Sequence, residues 1–186
     1  MRIIAGRHRG RRLATPPGGA TRPTADRVRQ ALFDMLWHAP WAGRPDIEGA
    51  RVLDAFAGTG ALGLEALSRG AAHATFLEHD RTALATLRAN IAACHEAPRC
   101  AVLAADATRP PRAAAPCALV FLDPPYRAGL LETALAALAT AGWMSPETLV
   151  CAEYGAPPPH PPPGFAVLAA RTHGAAHLLV LRPAAQ

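Results

Sequence analysis

From Arg51 onward, short apolar runs alternate with segments of helical periodicity, and that alternation restricts the fold more than any other feature. Arg51-Val52-Leu53-Asp54-Ala55-Phe56 reads as a first strand, followed by a helix from Ala61 to Arg69 that Gly70 closes. Ala74 to Glu78 predicts a second strand, and the next helix, capped by Asp80, brings Leu84, Leu87 and Ile91 onto one face. Cys100 to Ala104 makes a third strand ending near Asp106. The run Cys117 to Leu122 makes a fourth that ends at Asp123, and Thr148 to Ala152 a fifth. Leu131, Leu135 and Leu138 mark the helix between the last two, with Gly142 past its end. Such alternation builds a mostly parallel α/β sheet covered on both faces. Phe165 to Ala169 and His177 to Leu181 are expected to close it as an antiparallel hairpin.

The fourth strand runs into Asp123-Pro124-Pro125-Tyr126. Two consecutive prolines fix φ and remove two backbone donors, so the carbonyls there can only accept. A carboxylate, a stiff carbonyl and an aromatic face together suit a planar ring bearing an –NH2 group: the oxygens take its protons and the phenol stacks on the ring. An ordinary turn uses the same residue types, so the tetrapeptide needs support from the rest of the chain.

Charge provides some of that support. Residues 1–29 hold eight arginines, Arg2, Arg7, Arg9, Arg11, Arg12, Arg22, Arg27 and Arg29, against one acid, Asp26, a balance of +7; the remainder holds 11 arginines against 13 acids. A basic arm on a mildly acidic body points to a polyanion, because each neutralised phosphate releases condensed counterions. The arm reads as two extended runs, Arg2 to Ala5 and Arg11 to Ala14, joined through Gly6 and Gly10 as a hairpin. A helix follows with Thr24 as N-cap and Val28, Ala31, Leu32, Met35 and Leu36 at helical spacing. We therefore divide the chain into a basic hairpin and helix, 1–40, and a main domain, 41–186.

No window has the apolar length to span a bilayer, and the start lacks a signal-peptide core, which makes a cytoplasmic protein the expectation. Cys94, Cys100, Cys117 and Cys151 form no C-x-x-C pair and read as reduced thiols. His173 and His177 are read as non-ligands, no metal site is expected, and the proline-rich stretch 157–163 reads as a stiff surface loop.

Between the first strand and its helix, Gly58-Thr59-Gly60-Ala61-Leu62-Gly63 matches G-x-G-x-x-G, with Glu78 twenty residues after Gly58. A nicotinamide or flavin site fits that pattern. Two features favour S-adenosylmethionine. Asp54 precedes the glycines, where it reaches a ligand ammonium group and would sit poorly beside a pyrophosphate. Asp54, Glu78, Asp106 and Asp123, each following a strand, also form a row suited to an amino acid, a ribose, an adenine amine and a substrate amine.

Met1-Arg2-Ile3-Ile4-Ala5-Gly6, Arg22-Pro23-Thr24-Ala25-Asp26-Arg27-Val28-Arg29, Asp54 through Ala66 and Asp123 through Leu130 together resemble the RsmD family of bacterial 16S ribosomal RNA guanine-N2 methyltransferases. The likeness spans nearly the whole chain. It implies a Rossmann-like class I methyltransferase fold, with a seven-stranded, mostly parallel sheet, an antiparallel C-terminal hairpin and an N-terminal hairpin and helix. It further implies that Asp54, Gly58 and Gly60 line the methionine part of S-adenosylmethionine, Glu78 its ribose and Asp106 its adenine, with Phe56, His79 and Ala107 also among the cofactor-binding residues. Asp123, Pro124, Pro125 and Tyr126 would hold the target guanine. The arm's Arg7, Arg9, Arg11, Arg12, Arg22 and Arg27 are expected to contact RNA. The partner so implied is 16S rRNA, in the small subunit or an assembly intermediate, met by a monomer with no membrane involved. An adenine-N6 or other amino methyltransferase using the same Asp-Pro-Pro-Tyr order is the nearest alternative; a catalytically inactive RNA-binding assembly protein is the second. His173-Gly174-Ala175-Ala176-His177 is atypical of the family.

Overall fold

The computed structural model describes residues 1–16, 23–39, 41, 47–125, 129–154, 160–173 and 176–184. The alternating segments supply β1 (Arg51–Ala55), β2 (His73–Glu78), β3 (Cys100–Ala104), β4 (Leu119–Leu122) and β5 (Leu149–Tyr154), all mutually parallel. A hairpin of β6 (Phe165–His173) and β7 (Ala176–Pro183) joins antiparallel to β5 through β7. The sheet order is β3-β2-β1-β4-β5-β7-β6. The chain steps outward from β1 to β3 and returns to β4 on the other side of β1. That reversal leaves a crevice beyond the strand ends, where open α/β sheets take their ligands.

Helices α1 (Pro23–His38), α2 (Ala61–Ser68), α3 (Arg81–Ala93) and α4 (Leu130–Thr140) divide between the faces. Val52, Phe76, Phe121 and Leu149 meet Phe33 and Leu36 of α1, Leu64 and Leu67 of α2, and Leu87 and Ile91 of α3. The opposite face, with Leu53, Leu77, Val120 and Val150, packs on Leu131, Leu135 and Leu138 of α4. Among the described residues no helix is long and apolar enough to cross a membrane.

Most element boundaries match the sequence pattern within a residue or two. Three differences bear on the site. Strand β1 stops at Ala55 because Phe56 adopts a left-handed backbone, φ 63°, a rare conformation for an aromatic residue. Strand β5 runs on to Tyr154, which carries Glu153 into the sheet. Helix α1 begins at Pro23, so Thr24 lies inside its first turn and is not the N-cap; proline suits that first position because its missing N–H would be unpaired anyway.

The N-terminal segment pairs with itself around a 3-10 turn over Gly6–His8, through an antiparallel bridge between Arg2 and Arg12. The Ile3 amide donates to the Arg11 carbonyl at 2.9 Å and the Leu13 amide to the Met1 carbonyl at 3.1 Å. Ile3 and Leu13 are buried in the same core as the sheet, each contributing on the order of 1.5–3 kcal/mol. The arm is thus docked, and polar side chains far along the chain fasten it. Glu65 of α2, fully buried, accepts from the amides of Ile4 at 2.8 Å and Ala5 at 3.0 Å and pairs with Arg69 at 2.8 Å. The Ser68 hydroxyl accepts from the His8 amide at 3.0 Å. Glu96, also buried, pairs with His8, Arg7 and Arg99.

Candidate active site

The strand ends, the glycine turn and the docked arm enclose a crevice of about 780 Å³, within the range of small-molecule sites. Its floor is acidic. Asp54, on β1, is buried and has one carboxylate oxygen bonded by the Gly63 amide at 2.9 Å. Burial pushes its pKa up to about 8; the Gly63 bond works against this, while the charges of Asp123 and Glu78 add to it and Arg29 lowers it. A buried carboxylate with acidic neighbours and one donor is a receptor for a cation. An amino-acid ammonium group or a sulfonium would relieve that charge, and a pyrophosphate would aggravate it.

Glu78, at the end of β2, organises the glycine turn. Its Oε2 accepts from the Gly58 amide, and its Oε1 accepts from the amides of His79 and Asp80, each at 2.8 Å. Oε1 is thereby saturated, and Oε2 keeps a second lone pair for a ligand hydroxyl. Asp80 caps α3 through the Ala83 amide at 2.8 Å. From the other side, Asn90 of α3 donates to the Thr59 carbonyl at 2.9 Å and bonds the backbone of Ala14 in both directions, at 2.8 and 3.1 Å. One buried carboxamide therefore joins helix, glycine turn and arm.

Beside Asp54, across the reversal in strand order, Asp123-Pro124-Pro125 forms the crevice wall. Asp123 is exposed as a residue, yet its carboxylate sits within dense protein mass. That crowding first, and the charge of Glu153 second, push its pKa up to about 7. Water reaching the residue damps both influences.

The crevice brings together Asp54, Phe56, Gly58, Glu78 and His79 with Asp123, Pro124 and Pro125. Three expected cofactor residues do not line it. A side chain at Gly60 would meet Leu87 and Phe76, so this glycine serves helix packing. Asp106 turns back on its own loop, accepting from the Thr108 amide and hydroxyl at 2.8 Å; those two bonds chiefly lower its pKa, with smaller help from His79 and Arg109. Ala107 is buried in the core on the α4 face. Tyr126 and Arg22 lie outside the described residues.

The arginines separate into two groups. Arg7 pairs with Glu96 at 3.1 Å and Arg11 donates to the Ala93 carbonyl, so both are engaged with the body. Arg9, Arg12 and Arg27 are exposed, and among the described residues their side chains form no hydrogen bond or ion pair. Arg29, absent from the expected set, is buried beside Asp26 at 2.9 Å and Glu65 at 3.7 Å and lines the crevice with Met1, Val28 and Leu32. Glu153 also lines the crevice and continues the row of carboxylates by one strand, a position the sequence pattern implied once β5 was extended.

A family model described as "Conserved hypothetical protein 95" matches residues 1–182. The chain is 44% identical over 160 residues to the Ribosomal RNA small subunit methyltransferase D of Escherichia coli, covering 82% of this chain and 74% of that protein. The chain belongs to the RsmD family. The protein of the same name from Haemophilus influenzae is 38% identical over 157 residues, covering 82% of this chain and 78% of that protein. The solved structure of yhhF from Escherichia coli superimposes with a TM-score of 0.83 at 38% identity, covering 100% of this chain and 99% of that one. The fold is that of class I methyltransferases, and the RsmD likeness extends through the arm as well as the sheet.

Proposed function

We propose that this protein transfers a methyl group from S-adenosylmethionine to the exocyclic N2 amine of a guanine in small-subunit ribosomal RNA. The observation that carries the reading is the buried Asp54 carboxylate, amid further acids, beside the rigid Asp123-Pro124-Pro125 wall. The family relationship to small-subunit rRNA methyltransferases supports the substrate class. The acidic floor fits a sulfonium amino acid: Asp54 would hold its ammonium group, the glycine turn its methionine part and Glu78 its ribose, with His79 and Asp106 toward the adenine. When bound, that cofactor supplies an electrophilic methyl carbon.

Guanine N2 is a weak nucleophile because its lone pair is delocalised into the ring. In this reading Asp123 and the Pro124 carbonyl accept the two amine protons, turning the nitrogen lone pair toward the cofactor side of the crevice. The same carboxylate, with its pKa pushed up to about 7, is matched to taking the amine proton near neutral pH. Tyr126 would stack on a base drawn out of its RNA stack. Exposed Arg9, Arg12 and Arg27 would hold phosphates. The partner would be 16S rRNA in the subunit or an assembly intermediate, bound by a monomer in the cytoplasm.

Mass spectrometry of ribosomal RNA nucleosides from cells with and without the protein tests the proposal. N2-methylguanosine should fall at one small-subunit position when the protein is removed. An unchanged level there, or loss of a methylated adenosine instead, would overturn it.

A further inference from the structure

An Asp-Pro-Pro wall can hold an exocyclic amine on any base that carries one. Adenine, cytosine and guanine all do, so the wall alone leaves the choice of base open. What separates guanine is the ring nitrogen next to the amine-bearing carbon: guanine N1 carries a hydrogen, whereas adenine N1 and cytosine N3 are acceptors. A site selecting guanine therefore needs an acceptor beside the one that takes the amine.

The sheet register supplies it. In the β4–β5 pairing Leu122 lies opposite Ala152, and Asp123 and Glu153 are the next residues outward along these neighbouring strands, which run ~4.8 Å apart. Both line the crevice, and their charges act on one another. Across β5, Glu153 pairs in register with Leu178 of β7, which also lines the crevice and gives this carboxylate an apolar flank. Among the described residues, the other carboxylate, imidazole and guanidinium groups lining the crevice are Asp54 on β1, Glu78 on β2, His79 and Asp80 just after it, and Arg29 on α1.

We propose that Glu153 is the specificity-determining residue of the site, its carboxylate accepting the N1–H of the target guanine while Asp123 and the Pro124 carbonyl take the N2 protons. This rests on the methyltransferase reading above and assigns its choice of base. An adenine offered in the same pose would set its N1 lone pair against a carboxylate, as cytosine would its N3. Each arrangement leaves a desolvated acceptor facing a negative charge. Uracil has the ring N–H but no amine to methylate.

The test uses a small-subunit rRNA fragment spanning the mapped guanine, synthesised with guanine or with 2-aminopurine there. 2-Aminopurine keeps the amine on the same carbon but has no hydrogen on N1. Affinity is measured by competition binding without cofactor, for the wild type and for Glu153→Gln, whose amide can accept or donate. The wild type should bind the 2-aminopurine RNA roughly tenfold or more weakly, a typical scale for losing a specific base contact. In Glu153→Gln that ratio should shrink toward parity, with an unchanged melting temperature. Comparing the two proteins removes the contribution of the missing O6, which is common to both. Equal wild-type affinities, or the same ratio in both proteins, would overturn the role of Glu153 even where N2-methylguanosine forms. Methylation mapped to an adenine or cytosine amine would overturn the guanine reading itself.

Discussion

Asn90 donates to the carbonyl of Thr59 at 2.9 Å, tying the glycine turn to α3 while the same side chain grips Ala14 of the arm. Loss of this carboxamide strands polar groups on two segments at once. Asn90→Ala should destabilise the fold by about 2–4 kcal/mol, since each buried group left unsatisfied costs on the order of 1–3 kcal/mol. It should also weaken S-adenosylmethionine binding. Denaturant titration and calorimetry check the two effects separately; unaltered cofactor affinity would remove Asn90 from the support of the turn.

Asp54 makes stability depend on pH in an unusual direction. Its carboxyl titrates at about 8 when folded, against an ordinary 3.8, so the folded state is favoured while the group is protonated. Ligand-free stability should therefore decline as pH rises from 3.8 toward about 8, and Asp123, raised to about 7, adds in the same sense. Asp54→Asn should melt higher than the wild type at pH 8, with a smaller difference at pH 5, and should lose cofactor binding. A variant no more stable at high pH would contradict an uncompensated carboxylate at this position.

Glu65→Ala should detach the arm. The change leaves the amides of Ile4 and Ala5 without their acceptor and Arg69 and Arg29 without a buried counter-charge, a loss of about 3–5 kcal/mol. Hydrogen exchange should quicken at Ile4 and Ala5 before it quickens in β1.

Gly6 tests the dock sterically. Its φ is +76°, and an added Cβ would stand 1.8 Å from the Ser68 carbonyl oxygen, a backbone atom that cannot move aside alone. Gly6→Ala should release the 3-10 turn from α2, read as protease cleavage near His8 at enzyme levels that leave the wild type intact.

The arginine groups predict different phenotypes. Replacing exposed Arg9 or Arg27 by Gln should flatten the salt dependence of RNA binding, by a slope of about one per lost phosphate contact, with stability unchanged. Arg7→Gln should chiefly lower stability through Glu96. A reversed pattern would move the RNA contact elsewhere.

The sheet and its helices were legible because their signals are local: apolar runs, the glycine turn and the Asp80 cap each lie within a few residues of what they control. Glu153 is less legible because the apolar pattern of β5 ends at Ala152, one residue before the carboxylate that the strand carries to the crevice. Glu65, Ser68, Asn90 and Glu96 carry no local sign of their role in docking the arm, since their hydrogen bonds to Ala5, His8 and Ala14 cross 60 to 88 residues. For the same reason eight similar arginines could not be sorted into buried, paired and exposed. Asp106 was legible as a carboxylate after a strand, but its bonds from the Thr108 amide and hydroxyl were not, because the pattern of β3 ends at Ala104 and gives no sign of how the following loop turns.

Met1 and Leu178 border one cavity from opposite ends of the chain. The lining of that crevice is complete only once β7 has folded against β5, so its formation waits on the last strand to be synthesised. An intact crevice thus reports that the sheet has been assembled through β7.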